Sequence, residues 1–313
     1  MPTSHTLKAS PETVHWGHLD AALPPQLTVQ SGDTVTITSV SGAKGFTPGE
    51  DRLLPEHIRV QNEVTPEIGP HILTGPVAVE GAEPGDLLEV RIKDITLPCD
   101  WGWMIVRPLL GTLPEDFPFD HKIIVDLDLE NGTATAPFAP HPTVPLSPFF
   151  GVMSVAPPPA YGRVSTVEPR EYGGNIDLKE LVAGTTLYLP VHAEGALFSV
   201  GDGHAVQGDG EVCLTAIEAC LDGTFELILH KTSPVKFPRA ESDTAWITMG
   251  LNEDLDDAAK QALREMIALM GELHGMKAVD AYMLCSIAAD MRITQLVDGN
   301  KGVHCVMPKS IFS

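Results

Sequence analysis

Ser31-Gly32-Asp33-Thr34-Val35-Thr36-Ile37-Thr38 opens on a tight turn and runs on as an alternating apolar and polar series. Such a series reads as a half-buried β-strand, because successive side chains point to opposite faces of a sheet. The same grammar recurs along the chain. Pro84-Gly85-Asp86 leads into Leu87-Leu88-Glu89-Val90-Arg91-Ile92, and Ala183-Gly184-Thr185 leads into Thr186-Leu187-Tyr188-Leu189. In each case a glycine supplies the positive φ of a turn and a strand follows. The chain holds 28 glycines and 27 prolines, and their spread through the first 250 residues excludes long helices there.

Beyond residue 250 the pattern changes. Asp254 or Asp256 is placed to cap a helix running to about His274, with Gly275 as its stop. Ala259, Leu263, Met266, Ile267, Met270 and Leu273 recur along it at helical spacing. A second helix is expected over Val279 to Met291; it is apolar nearly all round, so burial is predicted for it. Asp290 and Arg292 are then expected to be hydrogen-bonded or beside a pocket. An echo between Gly75–Ala82 and Pro190–Ala196 points to two related β halves, 1–150 and 151–313, within one domain spanning 1–313. The rigid stretch Ala156-Pro157-Pro158-Pro159-Ala160 lies near their junction. The expected class is therefore α+β and β-rich: a β-sandwich or barrel-like body with a C-terminal helical pair.

Hydrophobic residues make up 43% of the chain, enough for a sizeable core. Its 42 acidic and 20 basic residues give a formal charge of −22. That sign excludes nucleic acid and anionic membrane surfaces as partners, since both need clustered Lys and Arg. The five cysteines are odd in number, scattered and without a CxxC pair, which points to a reducing compartment. With no signal-peptide pattern in the first ten residues and no long apolar span, a cytoplasmic protein is expected.

The densest polar cluster is Gly201-Asp202-Gly203-His204-Ala205-Val206-Gln207-Gly208-Asp209-Gly210-Glu211, read as a polar loop between two apolar segments. Asp202 and His204 stand two apart, so in extended backbone they face the same side and form a plausible pair of metal ligands. Gly-Asp-Gly is also common hairpin chemistry. His204 and Glu211 weigh against that reading, because neither helps a turn form. Alternation from Glu211 through Cys213, Thr215 and Ile217 places Glu218 on the opposite face, as a ligand or as a strand's polar end. In Gly173-Gly174-Asn175-Ile176-Asp177 the polar pair again shares a face, as site residues or as a turn. His15 and His71 are further candidates, and Asp100-Trp101-Gly102-Trp103 offers an aromatic pocket wall or a packed corner. No Gly-x-Ser-x-Gly elbow, His-Glu-x-x-His helix, phosphate loop or dinucleotide fingerprint occurs.

These stretches resemble the acetamidase/formamidase family. The resemblance is carried by LPVHAEGALFSVGDGHAVQGDGEVCLTAIE from Leu189 to Glu218 and HILTGPVAVEGAEPGDLLEVRIKD from His71 to Asp94. GGNIDLKEL from Gly173 and DAYMLCSIAADMRITQLVDGNKGVH from Asp280 extend it over almost the whole chain. It implies a β-rich fold with duplicated halves, a homo-oligomer, a divalent metal, and hydrolysis of a short aliphatic amide to carboxylate and ammonia. Some relatives are γ-lactamases, so a cyclic amide is an alternative substrate. A non-catalytic, metal-containing β-sandwich that only binds a ligand is the alternative from another class.

Chemistry at these positions assigns the metal, zinc by preference, to Asp202 and His204, with Asp177 or His71 completing the set. Glu211 is the expected base, with Glu218 as its substitute, and Asn175 binds the amide. His15, Trp101 and Trp103 are expected around a small pocket admitting acyl groups of one to three carbons or a compact lactam.

Overall fold

A computed structural model describes residues 2–312. The turn glycines have the required backbone: φ is 92° at Gly32, 95° at Gly85 and 91° at Gly184. They open the strands Asp33–Ser39, Leu87–Thr96 and Thr186–Pro190. In the first of these, burial alternates residue by residue as the sequence pattern requires.

Two large sheets make up the body. Across the nine-stranded sheet the order is Ser4–Leu7, Asp33–Ser39, Leu221–His230, Leu87–Thr96, Thr186–Pro190, Arg239–Glu241, Ala245–Asn252, Lys301–Pro308 and Asp290–Gln295. Strands from both ends of the sequence thus alternate within it. In the eleven-stranded sheet Trp101–Val106, Ile217–Glu218, Phe198–Val206, Phe149–Ser154 and Gly173–Asn175 lie side by side, and Ile72–Val79 also pairs with Phe198–Val206. One apolar cluster joins the sheets: Val35, Val90, Leu187 and Phe225 from the first pack with Leu73, Phe150, Val152 and Phe198 from the second. Phe225 sits edge-on to Phe150 and Phe198 at 5.5 and 5.7 Å. Two sheets closed over a shared core are the sandwich-like body expected of the pattern.

Helix α1, Pro55–Glu63, is short. Helix α2, Leu255–His274, begins as expected, with the Asp254 side chain accepting from the Asp256 and Asp257 amides, and stops at Gly275 in the left-handed region. Its buried face, including Ala262, Met266 and Met270, packs with Val303, Cys305 and Met307 of the sheet.

Helix α3, Ala278–Ala288, corrects the expectation of a buried segment. Only Ala281 and Cys285 are buried, one turn apart on a single face, while Val279, Tyr282, Met283 and Ile287 are 60, 57, 65 and 83% exposed. Composition without polar residues on one side gives no face away, so burial had to be read from contacts. Asp290 and Arg292 belong to the strand that follows, and Arg292 pairs with Glu180 at 3.2 Å.

Candidate active site

The Gly201–Glu211 segment is also not the loop its glycines imply. Its first half is the strand Phe198–Val206, so Asp202 and His204 ride on a central sheet element. Regular pairing stops at Val206, and residues 207–216 carry Glu211 on irregular backbone with φ of 45°. Gly210 makes a single parallel bridge to Gln295, donating to the Thr294 carbonyl and accepting from the Leu296 amide, and no regular strand carries the expected alternation on through Cys213 and Thr215. Glu218 returns to the sheet in Ile217–Glu218.

Register then builds the site. Phe149 pairs with His204, His204 with Glu218, and Glu218 with Trp103, so the four form one row across adjacent strands. The His204 Nε2 atom lies 3.3 Å from Glu218, 3.4 Å from Asp202, and 3.9 Å from both Asp177 and Glu211. Phe149 stands edge-on to the imidazole at 4.9 Å and fixes its plane. His71 places Nε2 3.9 Å from Asp202. Its Nδ1 lies 3.1 Å from the Thr166 carbonyl, which can only accept, so Nδ1 carries a proton and Nε2 is the nitrogen turned to Asp202.

Asp177, Glu211, Glu218 and Asp298 are buried, and the Asp202 side chain is 10% exposed. Burial pushes Glu218 up to about 8, lifts Glu211 well above its ordinary value and raises Asp177. Asp298, beside Asp177, is raised by burial and by that neighbour's charge. Burial opposes ionisation of Asp202 too, but His71 and His204 hold it low. His204, which burial would depress, is carried well above its ordinary value by Glu218 and Asp202.

Among the described residues, both oxygens of Asp177, both ring nitrogens of His204 and one oxygen each of Asn175, Glu218 and Asp298 are buried without a hydrogen bond. So many unanswered acceptors around one imidazole are costly unless a cation answers them. Two sets, Asp177–His204–Glu211 and Asp202–His204–Glu218, each bring three ligand atoms within 4.8 Å of one another. The residues present therefore fit a divalent ion.

Asp202, Glu211, Glu218, Asn175, His71 and Asp298 are among the residues that line a cavity of about 320 Å³. Trp103 forms part of its wall, stacked on Phe46 at 5.4 Å. Trp101 does not: it is fully buried, donates to the Arg52 carbonyl and stacks on His57. Neither does His15, a further correction. Strand alternation over Val14–Trp16 turns Trp16 to the cavity and His15 inward. His15 donates from Nδ1 to the His18 carbonyl at 2.6 Å and accepts at Nε2 from Ser199 at 3.1 Å.

Burial lowers His15 from an ordinary 6.5 to about 4. The fold holds it neutral while the unfolded chain protonates it, so its stabilisation is complete above about pH 6.5 and lost as the pH falls through 4. The stability of a His15→Gln variant is expected to fall less between those pH values, by about 3 kcal/mol, than that of the parent. Urea unfolding at both ends of the window checks this, and equal losses would refute it.

Asp298, Trp16 and Phe46 were not anticipated. Asp298 sits in Val297-Asp298-Gly299, where an Asp-Gly pair reads first as a turn. Its place in the family-like tail is the one signal that points to it.

The model of the acetamidase/formamidase family matches residues 9–164 and 159–313. A formamidase of Methylophilus methylotrophus is 32% identical over 192 residues, 45% of this chain and 47% of that protein. An acetamidase of Mycolicibacterium smegmatis is 31% identical over 198 residues, 45% of this chain and 49% of that one. The match thus spans about half the length of these curated relatives. The crystal structure of an acetamidase from Bacillus halodurans superimposes with a TM-score of 0.84 at 30% identity, covering 98% of each chain. The chain belongs to the acetamidase/formamidase family.

Proposed function

We propose that this protein hydrolyses a short-chain amide, of the acetamide or formamide type, to a carboxylate and ammonia with the help of a divalent metal. One observation carries the reading: the Asp177 carboxylate and the His204 imidazole, buried without hydrogen bonds, converge with Asp202, Glu211 and Glu218, three carboxylates that line a cavity. Family membership supplies the reaction class. Asp177, Asp202 and His204 would hold the ion, with His71 beside Asp202. Zinc suits an imidazole among carboxylates. Bound there, the ion would supply Lewis acidity toward the carbonyl and acidify water.

The remaining work falls to the chain's own groups. Glu211 lines the cavity, and burial makes its carboxylate the stronger proton acceptor. It takes the proton of the attacking water and returns it to the departing nitrogen. Glu218 is the substitute, but one of its oxygens is already engaged by the Ala216 amide at 3.1 Å. The free Asn175 oxygen accepts from the substrate NH₂.

Metal analysis coupled to ammonia detection tests both halves of the proposal. The expected result is about one divalent ion per chain, ammonia from acetamide or formamide, and loss of turnover on exhaustive chelation. Full activity in metal-free protein would remove the ion. Ammonia from no amide would remove the reaction and leave the ligand-binding alternative.

A homo-oligomer in a reducing, cytoplasmic setting belongs to the same reading. The exposed apolar residues of α3 support the first, and five unpaired cysteines support the second. Among the described residues, no helix is long and apolar enough to cross a membrane. Sedimentation is expected to give a mass that is a multiple of 33.6 kDa; a monomer at micromolar concentration would contradict it.

A further inference from the structure

The cavity lining is mixed: beside its carboxylates stands an apolar wall that includes Trp16, Phe46, Ile72, Trp103, Ile105 and Leu214. A water molecule takes up about 30 Å³ of liquid, so formamide or acetamide displaces roughly two or three waters. Most of the 320 Å³ would stay filled with solvent. Water against apolar walls makes few hydrogen bonds, and replacing it with an apolar group gains binding. Cavities of this size enclose ligands well beyond a four-atom amide.

This wall is also built in advance. Trp103 lies on a sheet strand, its register fixed by Glu218 and Ile124 on either side. Phe46 stacks on it with rings 14° from parallel. A preformed aromatic wall of this kind packs against another ring or a branched chain at little ordering cost.

We infer that this apolar wall receives the acyl group of larger primary amides, aryl or branched aliphatic, so that the substrate range of the proposed amidase widens beyond the acetamide and formamide type and these amides are hydrolysed faster than formamide and acetamide. The inference rests on the proposed amidase chemistry at the cavity's carboxylates. The reaction is unchanged: water adds its oxygen to the carbonyl carbon, the C–N bond breaks, and the proton from water leaves with nitrogen as ammonia.

The test is kcat/KM, by ammonia release, for formamide, acetamide, hexanamide, benzamide and phenylacetamide. One methylene in an apolar pocket is worth about 10–200-fold, so phenylacetamide is expected to exceed acetamide by about 10²–10⁴-fold. In Trp103→Ala and Phe46→Ala the ratio of the two is expected to fall at least about tenfold. Acetamide hydrolysed as well as, or better than, every larger amide would overturn the inference and leave the amidase reading intact. Ammonia from none of the five would overturn both. The parent's own panel decides the matter even where a variant fails to fold.

Discussion

Glu211→Gln is expected to lower turnover by about 10²–10⁴-fold while metal content and thermal unfolding stay at parental values. Gln keeps the size and hydrogen-bonding reach of Glu but cannot accept the proton of the attacking water. Glu211 sits on the irregular 207–216 segment, so the change touches no sheet pairing. It also removes an acid that burial and Asp177 lift above its usual range, which eases the native charge balance. Loss of structure is therefore not expected to accompany loss of rate. The companion variant Glu218→Gln discriminates the two carboxylates. If it is the crippling change and Glu211→Gln stays active, the base is Glu218; if both stay active, no carboxylate base operates here.

What could be read in advance was local, and what could not was set by pairing. The turns at Gly32, Gly85 and Gly184 and the caps of α2 are decided within a few residues, and each stands where its pattern placed it. The exposure of α3 depends on what packs against it, and an apolar helix looks alike whether covered or bare. The same division runs through the site. Asp202 and His204 are legible as a pair because they are two apart on one strand. Their meeting with Glu218 depends on antiparallel register, and with Asp177 on the fold of a distant segment. His15 and Trp16 show how small the margin is: both are buried, and one step along the strand separates a cavity-lining side chain from one outside the lining. Asp298 was hidden by its turn, since Asp-Gly satisfies local chemistry without needing a ligand.

Gly151→Ala is expected to empty the candidate site without unfolding the protein. Gly151 lies in the strand Phe149–Ser154, and its carbonyl accepts from the Ile176 and Asp177 amides at 3.1 and 3.2 Å. Its φ is not positive, so an alanine backbone fits there without strain. The added Cβ would stand 2.5 Å from Asp177 Oδ1, 2.6 Å from Asp202 Oδ2 and 2.8 Å from His204 Cε1. Three prospective ligand side chains thus close over the one position that lacks a side chain, and a methyl group must push them apart. Because the displaced atoms are side-chain ends and not backbone, the sheet can keep its pairing while the ligand atoms lose their spacing. A misplacement of about 1 Å costs a reaction about 10²-fold, so turnover should fall at least that far, with metal content falling alongside. Gly208→Ala is the control: it lies near the same segment, and a Cβ there meets nothing within 4 Å. Parental metal and activity are expected of it. A Gly151→Ala protein that keeps both would mean that the Asp177–Asp202–His204 convergence is not where the ion sits.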